Sequence, residues 1–296
     1  MIALRPLAAL RLGLGAVGLG AGLVAAQRVA GLRDARAARL TETPFDHGMH
    51  AEDVKLRSTV NSRLHAWWVP ASGVATTDRS PSEPSPAVLV VHGYASHAGD
   101  LLPLAPKLHD GGFHVLLLDM RGAGRSEPVD DRPRPPDLVH DVRVAVSWLA
   151  ARADVTTVGV VGHSMGGSVA IGAAAEDARI AAVVAVAAVA DPTLTRIGWW
   201  PAWVSRALLR TVARRQGIDP SSTFARERIR EVAAPVLLLH GEQDRIVPPV
   251  HAHVLADARP DARLVLLPDA GHATFEAFLP ALDDAVAFLA DILHVG

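Results

Sequence analysis

Ser164 lies in Gly162-His163-Ser164-Met165-Gly166, which directly follows the apolar run TVGVV and precedes Gly167 and the helix-compatible run SVAIGAAAE. The setting carries more weight than the string. A sharp strand-to-helix turn exposes a serine hydroxyl at the sheet edge but strains its backbone, so glycines two residues to either side keep neighbouring chain from clashing. The helix that begins there turns free N–H groups and the positive end of its dipole toward developing negative charge. These are the requirements of a serine nucleophile, and a hydroxyl attacks only when a base takes its proton.

An imidazole is the expected base, and the chain offers 14 histidines. His272, in Pro268-Asp269-Ala270-Gly271-His272, comes immediately after the last expected strand, where a loop can carry it across the C-terminal edge of the sheet to Ser164. His163 adjoins the serine and is expected to point away from it. His92 stands in a His-Gly pair at a strand end and reads as structural. His251 and His253 are i and i+2 on an expected helix and share no face, and no carboxylate set completes a metal site with them. A carboxylate should fix the tautomer of the base and stabilise its protonated form. Two aspartates close buried apolar runs, Asp244 beyond PVLLLHG and Asp191 at the end of AAVVAVAAVAD, so the choice between them stays open. Glu242 and Asp269 read as solvated loop charges.

The elements that must hold these residues follow from hydrophobic patterning. Near-continuous apolar runs at 87–93, 114–119, 157–164, 181–191, 235–241 and 263–268 are expected as strands buried on both faces. Between them, residues 101–109, 138–151, 168–175, 250–256 and 275–293 carry apolar side chains at helical spacing. Strand and helix in alternation imply a mostly parallel central sheet flanked by helices. Upstream, 54–60 and 64–69 read as a hairpin around Asn61-Ser62, and ASGVATTDRSPSEPSP as a surface loop. The interval from Asp191 to Arg230 exceeds an ordinary connection and is a candidate lid. It carries Trp199, Trp200 and Trp203 on one apolar face, suited either to packing on the body or to contact with substrate.

Composition narrows the function classes. A chain of 296 residues, 50% hydrophobic and 20% charged, can bury a large core in one catalytic domain. A formal net charge of -2 leaves no basic footprint for nucleic acid. The absence of cysteine excludes disulfides, thiolate metal sites and a cysteine nucleophile. The apolar segment 7–26, broken only by Arg11, is long enough as a helix to cross a bilayer, roughly 30 Å. Its alternatives are a cleaved secretory signal ending near Val24-Ala25-Ala26 and a helix packed on the soluble body. The expected organisation is therefore 1–40 as hydrophobic segment and basic linker and 41–296 as catalytic domain, membrane-associated or secreted after cleavage.

From about Val54 onward, the Gly-His-Ser-Met-Gly turn, the His92-Gly93-Tyr94-Ala95-Ser96 loop, the Gly241-Glu242-Gln243-Asp244 turn and the loop of His272 together resemble the α/β-hydrolase superfamily, in its serine esterase, lipase and thioesterase-like branch. The resemblance implies an α/β-hydrolase fold with a short helical lid at about 191–230. It implies Ser164, Asp244 and His272, in that chain order, as a catalytic triad, with Asp191 as the rival acid because some members place it there. It also implies an oxyanion hole from the backbone N–H groups of Tyr94 and Met165. Asp119-Met120-Arg121-Gly122-Ala123-Gly124-Arg125-Ser126 resembles a structural loop of the superfamily and lacks the lysine of a phosphate loop. The implied function is hydrolysis of an ester or thioester-type acyl bond through an acyl-enzyme, without cofactor or metal, on a small-molecule substrate; the Trp-bearing lid and the apolar N-terminus together suggest that its acyl group is hydrophobic. The rivals are a non-catalytic membrane-tethered interaction protein with the same fold, and a peptidase or carbon–carbon bond hydrolase on the same triad.

Overall fold

The sheet is built outward from β3 (Ser85–Val91), whose residues alternate between two cores. Ala87, Leu89 and Val91 face one and Val88 and Val90 the other, as a period of two requires of a strand covered on both sides. The computed structural model describes residues 42–59, 62–71, 84–129, 133–194, 203, 204, 207, 211, 225–272 and 278–294. The segment 7–26, the stretch 72–83, Trp199 and Trp200 lie outside the described residues. Among the described residues no helix is long and apolar enough to cross a membrane.

In chain order the strands are β1 (Glu52–Thr59), β2 (Ser62–Val69), β3, β4 (His114–Asp119), β5 (Val155–His163), β6 (Ile180–Val186), β7 (Val236–Gly241) and β8 (Arg263–Leu267). They form one eight-stranded sheet in the order β1-β2-β4-β3-β5-β6-β7-β8. The expected hairpin, β1 with β2, pairs antiparallel and joins β4 antiparallel; the remaining pairs are parallel. The helices are α1 (Ala105–Asp110), α2 (Pro135–Ala150), α3 (Met165–Glu176), α4 (Ala225–Arg228), α5 (Val250–Ala258) and α6 (Leu279–Leu293).

Residues of α2 and α3 such as Val142, Leu149 and Ile171 pack with Leu89, Leu116 and Val160 on one face of the sheet. Leu108 of α1 and Leu282 and Leu289 of α6 pack with Val90, Leu117 and Val184 on the other. Each fully buried leucine contributes about 1.5–3 kcal/mol of transfer free energy. Gly159 matters to this packing, because a side-chain carbon there would come within 2.8 Å of Leu293 and 3.1 Å of Leu289, so its absence lets α6 lie close on β5.

Three expectations are corrected. The apolar run 181–191 stops being strand at Val186: Ala187 has φ +50° and turns the chain aside, although its N–H still bonds Leu239 O at 2.8 Å. The run at 263–268 is not buried on both faces, because β8 is an edge strand paired with β7 alone, and its residues are exposed or half-buried. The helix expected at 101–109 starts as a 3-10 segment, Ala98–Leu104, with Pro103 inside it, and becomes α-helical only in α1.

Candidate active site

Ser164 stands between the last residue of β5 and the first of α3 with φ +56° and ψ −118°, a conformation that costs an ordinary residue on the order of 1–3 kcal/mol. The flanking glycines make it tenable. A side-chain carbon at Gly162 would overlap the Gly166 carbonyl, and one at Gly166 would overlap the carbonyls of Val91 and His92. The Ser164 N–H is anchored to Val186 O at 2.8 Å. Its side chain is thus held at the C-terminal edge of the sheet, over the N-terminus of α3.

His272 reaches this serine from the loop after β8. Its Nε2 lies 3.0 Å from Ser164 Oγ and its Nδ1 lies 2.7 Å from Asp244 Oδ2. With the Nδ1 proton directed at the carboxylate, Nε2 is left to accept from the serine hydroxyl. The other carboxylate oxygen, Oδ1, accepts from the N–H groups of Ile246 at 2.9 Å and Val247 at 2.8 Å. Burial works to raise the Asp244 pKa, but the His272 hydrogen bond and the Val247 and Ile246 amides outweigh it, and the carboxyl titrates below its ordinary value. The two loops are fastened to each other. Gln243 N–H bonds Ala270 O at 3.1 Å and Glu242 N–H bonds Leu267 O at 2.9 Å, a close approach possible because position 241 is glycine.

Asp191 is elsewhere. It is fully buried, accepts the Thr193 N–H at 2.8 Å, and lies 3.3 Å from Arg226 Nη1. Of the two aspartates left open by spacing, the structure brings Asp244 to His272. His251 is buried and accepts the Ala190 N–H on Nδ1 at 3.1 Å, while His253 on the same helix is exposed, so the H-x-H pair does divide between faces. Burial, reinforced by neighbouring His240, lowers the His251 pKa to about 4.

On the opposite side of Ser164, the loop after β3 comes into contact with the serine. A side-chain carbon at Gly93 would stand 3.2 Å from Ser164 Cβ. Tyr94 follows with its side chain 59% exposed, and Ala95 has φ +53°. Met165 opens α3, so its N–H has no acceptor within the helix. His92 shapes this loop, with Nδ1 bonded to Gly93 O at 2.8 Å and Nε2 accepting the Met120 N–H at 3.1 Å. Asp119 supports it from behind, taking the Ala98 N–H at 2.8 Å and the Arg125 N–H at 3.0 Å, a structural task for the Asp-Met-Arg-Gly loop.

His163 does not point away from the site. Its ring centroid lies 5.2 Å from that of His272, because the positive φ at Ser164 breaks the alternation that would otherwise place His163 and Ser164 on opposite faces. His240 is a residue that sequence reasoning passed over: it is buried with Nε2 3.6 Å from Asp244 Oδ2 and 2.8 Å from Val247 O. Its position as the penultimate residue of β7, four before Asp244, was the available signal. Trp203 is 74% exposed and so forms no part of the core. Among the described residues no group of three or more histidine or acidic side chains could hold a metal ion.

Residues 82–225 match the family model described as serine aminopeptidase, S33, and residues 210–277 match that of the alpha/beta hydrolase fold. An uncharacterized protein of Mycobacterium tuberculosis is 31% identical over 225 residues, covering 74% of this chain and 72% of that one. The monoacylglycerol lipase of Mycolicibacterium smegmatis is 29% identical over 244 residues, covering 66% of this chain and 83% of that one. Among solved structures, an esterase of Pyrococcus furiosus has a TM-score of 0.67 at 21% identity, over 86% of this chain and 95% of that one, a likeness of fold.

Proposed function

The chain belongs to the α/β-hydrolase superfamily, and from that membership we propose that it is a serine hydrolase cleaving an ester or thioester-type acyl bond through Ser164, His272 and Asp244. The observation that carries this reading is the unbroken line from Asp244 Oδ2 through His272 to Ser164 Oγ, at 2.7 and 3.0 Å, on a serine held at φ +56°. Ser164 Oγ adds to the acyl carbon as its proton passes to His272 Nε2. The carbonyl oxygen, now negative, is received by the N–H groups of Tyr94 and Met165. His272 returns the proton to the departing alcohol or thiol, and water, deprotonated by the same imidazole, releases the acid and restores the serine.

A hydrophobic acyl group suits this site. Tyr94 and Ile246, 59% and 60% exposed, stand in the two loops that flank Ser164 at the sheet edge, and a monoacylglycerol lipase is among the relatives. The segment 7–26 supports a further proposal of membrane association, which retention in the membrane after an alkaline carbonate wash would test.

The test of the chemistry is labelling with a fluorophosphonate probe. Wild-type protein should label and Ser164→Ala should not, and folded wild-type protein that stays unlabelled would favour the non-catalytic interaction protein. The name of the matching family model favours amide cleavage as the second reading. A series of acyl esters measured beside aminoacyl anilides separates the two, and turnover of anilides alone would overturn the esterase assignment.

A further inference from the structure

We propose that His163 is a positioning residue for His272, holding the face of the catalytic imidazole while Ser164 and Asp244 hold its edges. The inference rests on the serine-hydrolase reading above. The hydrogen bonds at 3.0 and 2.7 Å fix the His272 ring within its own plane but leave it free to tilt about the line joining its two partners. A group on the ring face removes that freedom. His163 packs against the ring: the two rings are 5.2 Å apart at the centroids and inclined by 37°.

His163 is itself fixed on the other side. A side-chain carbon at Gly93 would lie 3.4 Å from its Nδ1 and 3.2 Å from Ser164 Cβ, so it is lodged between the loop that approaches the oxyanion and the loop that carries the base. One side chain therefore sets the spacing of both loops about the serine it precedes. The position also demands neutrality, since a second cation would oppose the imidazolium that His272 becomes in the transition state. Burial and then the proximity of His272 lower the His163 pKa to about 4, against the smaller contrary pull of Asp244 and Asp100.

Misplacing a catalytic group by about 1 Å costs on the order of 100-fold in rate. His163→Ala should slow fluorophosphonate labelling and kcat about 10- to 100-fold while KM stays within about threefold. The acid limb of its pH–rate profile should move to higher pH, because water admitted to the ring face favours the protonated base. His163→Phe, which restores the face contact, should recover part of the loss. It also serves, with His163→Asn, if the alanine variant does not fold. Labelling of these variants at the wild-type rate would overturn the proposal, as would a loss that follows the melting temperature while the acid limb stays in place. If wild-type protein does not label at all, the serine-hydrolase reading fails and this inference falls with it.

Discussion

Two histidines in this molecule sit between oxygen partners at nearly the same distances and do opposite things. His272 has Asp244 at 2.7 Å on Nδ1 and Ser164 at 3.0 Å on Nε2. His65, on the hairpin strand β2, has Asp119 at 3.0 Å on Nδ1 and Asp53 at 2.7 Å on Nε2. The difference is the second partner. A hydroxyl can donate, so His272 keeps one nitrogen open to receive a proton, whereas two carboxylates can only accept, so His65 must present a proton on both nitrogens. Burial works to lower the His65 pKa, but the hydrogen bonds to Asp119 and Asp53 prevail and it lies above its ordinary value. The same ring with one partner changed is, on the proposed function, a base at the sheet edge, and under the hairpin a group whose protonated form is favoured.

The strongest way to break the comparison is through the carboxylates. Asp244→Asn should lower kcat/KM about 10⁴-fold, since an amide forces the wrong tautomer on the base, and Asp191→Asn should leave it within a few-fold. A large loss in the second with little in the first would move the acid to Asp191. Next in size, His65→Gln leaves the buried Asp119 charge without its cation and should cost about 3 kcal/mol of unfolding free energy in a denaturant titration, with kcat changed little. If kcat falls as far as for Asp244→Asn, the two sites are not separable in the way described.

The pH dependence of stability sharpens the contrast. A raised pKa contributes stability that is complete below the ordinary histidine value of 6.5 and is lost as pH rises through the folded-state value. Unfolding free energy of wild-type protein should therefore decline as pH rises above 6.5, and His65→Gln should flatten that decline. Asp244 and Asp119, both lowered, act in the other window: their contribution is present above the ordinary 3.8 and lost as pH falls below it. Smallest of all, Asp53→Asn should cost about 1 kcal/mol or less, because its carboxylate is 60% exposed and screened by water.

The parallel sheet was legible because buried strands leave unbroken apolar runs, and Ser164 because strained geometry forces glycines into place. Asp244 and Asp191 were not separable by the same means, since both terminate buried runs, and it is the approach of His272 from the loop after β8 that distinguishes Asp244. His163 was misplaced for a related reason. Alternation along β5 would put His163 and Ser164 on opposite faces, but the positive φ at Ser164 breaks that alternation, so both side chains meet His272. The pairing of His65 with Asp119 was hidden by distance, 54 positions along the chain with no local pattern to join them.

The span between the serine and its base has a consequence for the birth of the protein. Ser164 and His272 are 108 residues apart, and at ribosomal speeds of about 5–20 residues per second the serine is made roughly 5 to 20 s before the histidine. Because β8 is the last strand in chain order and lies at the edge of the sheet, a growing chain has Ser164 without its hydrogen bond to His272 until the loop after β8 is made. On the proposed function, a chain that stalls in synthesis before residue 272 has no base for its serine and stays chemically silent.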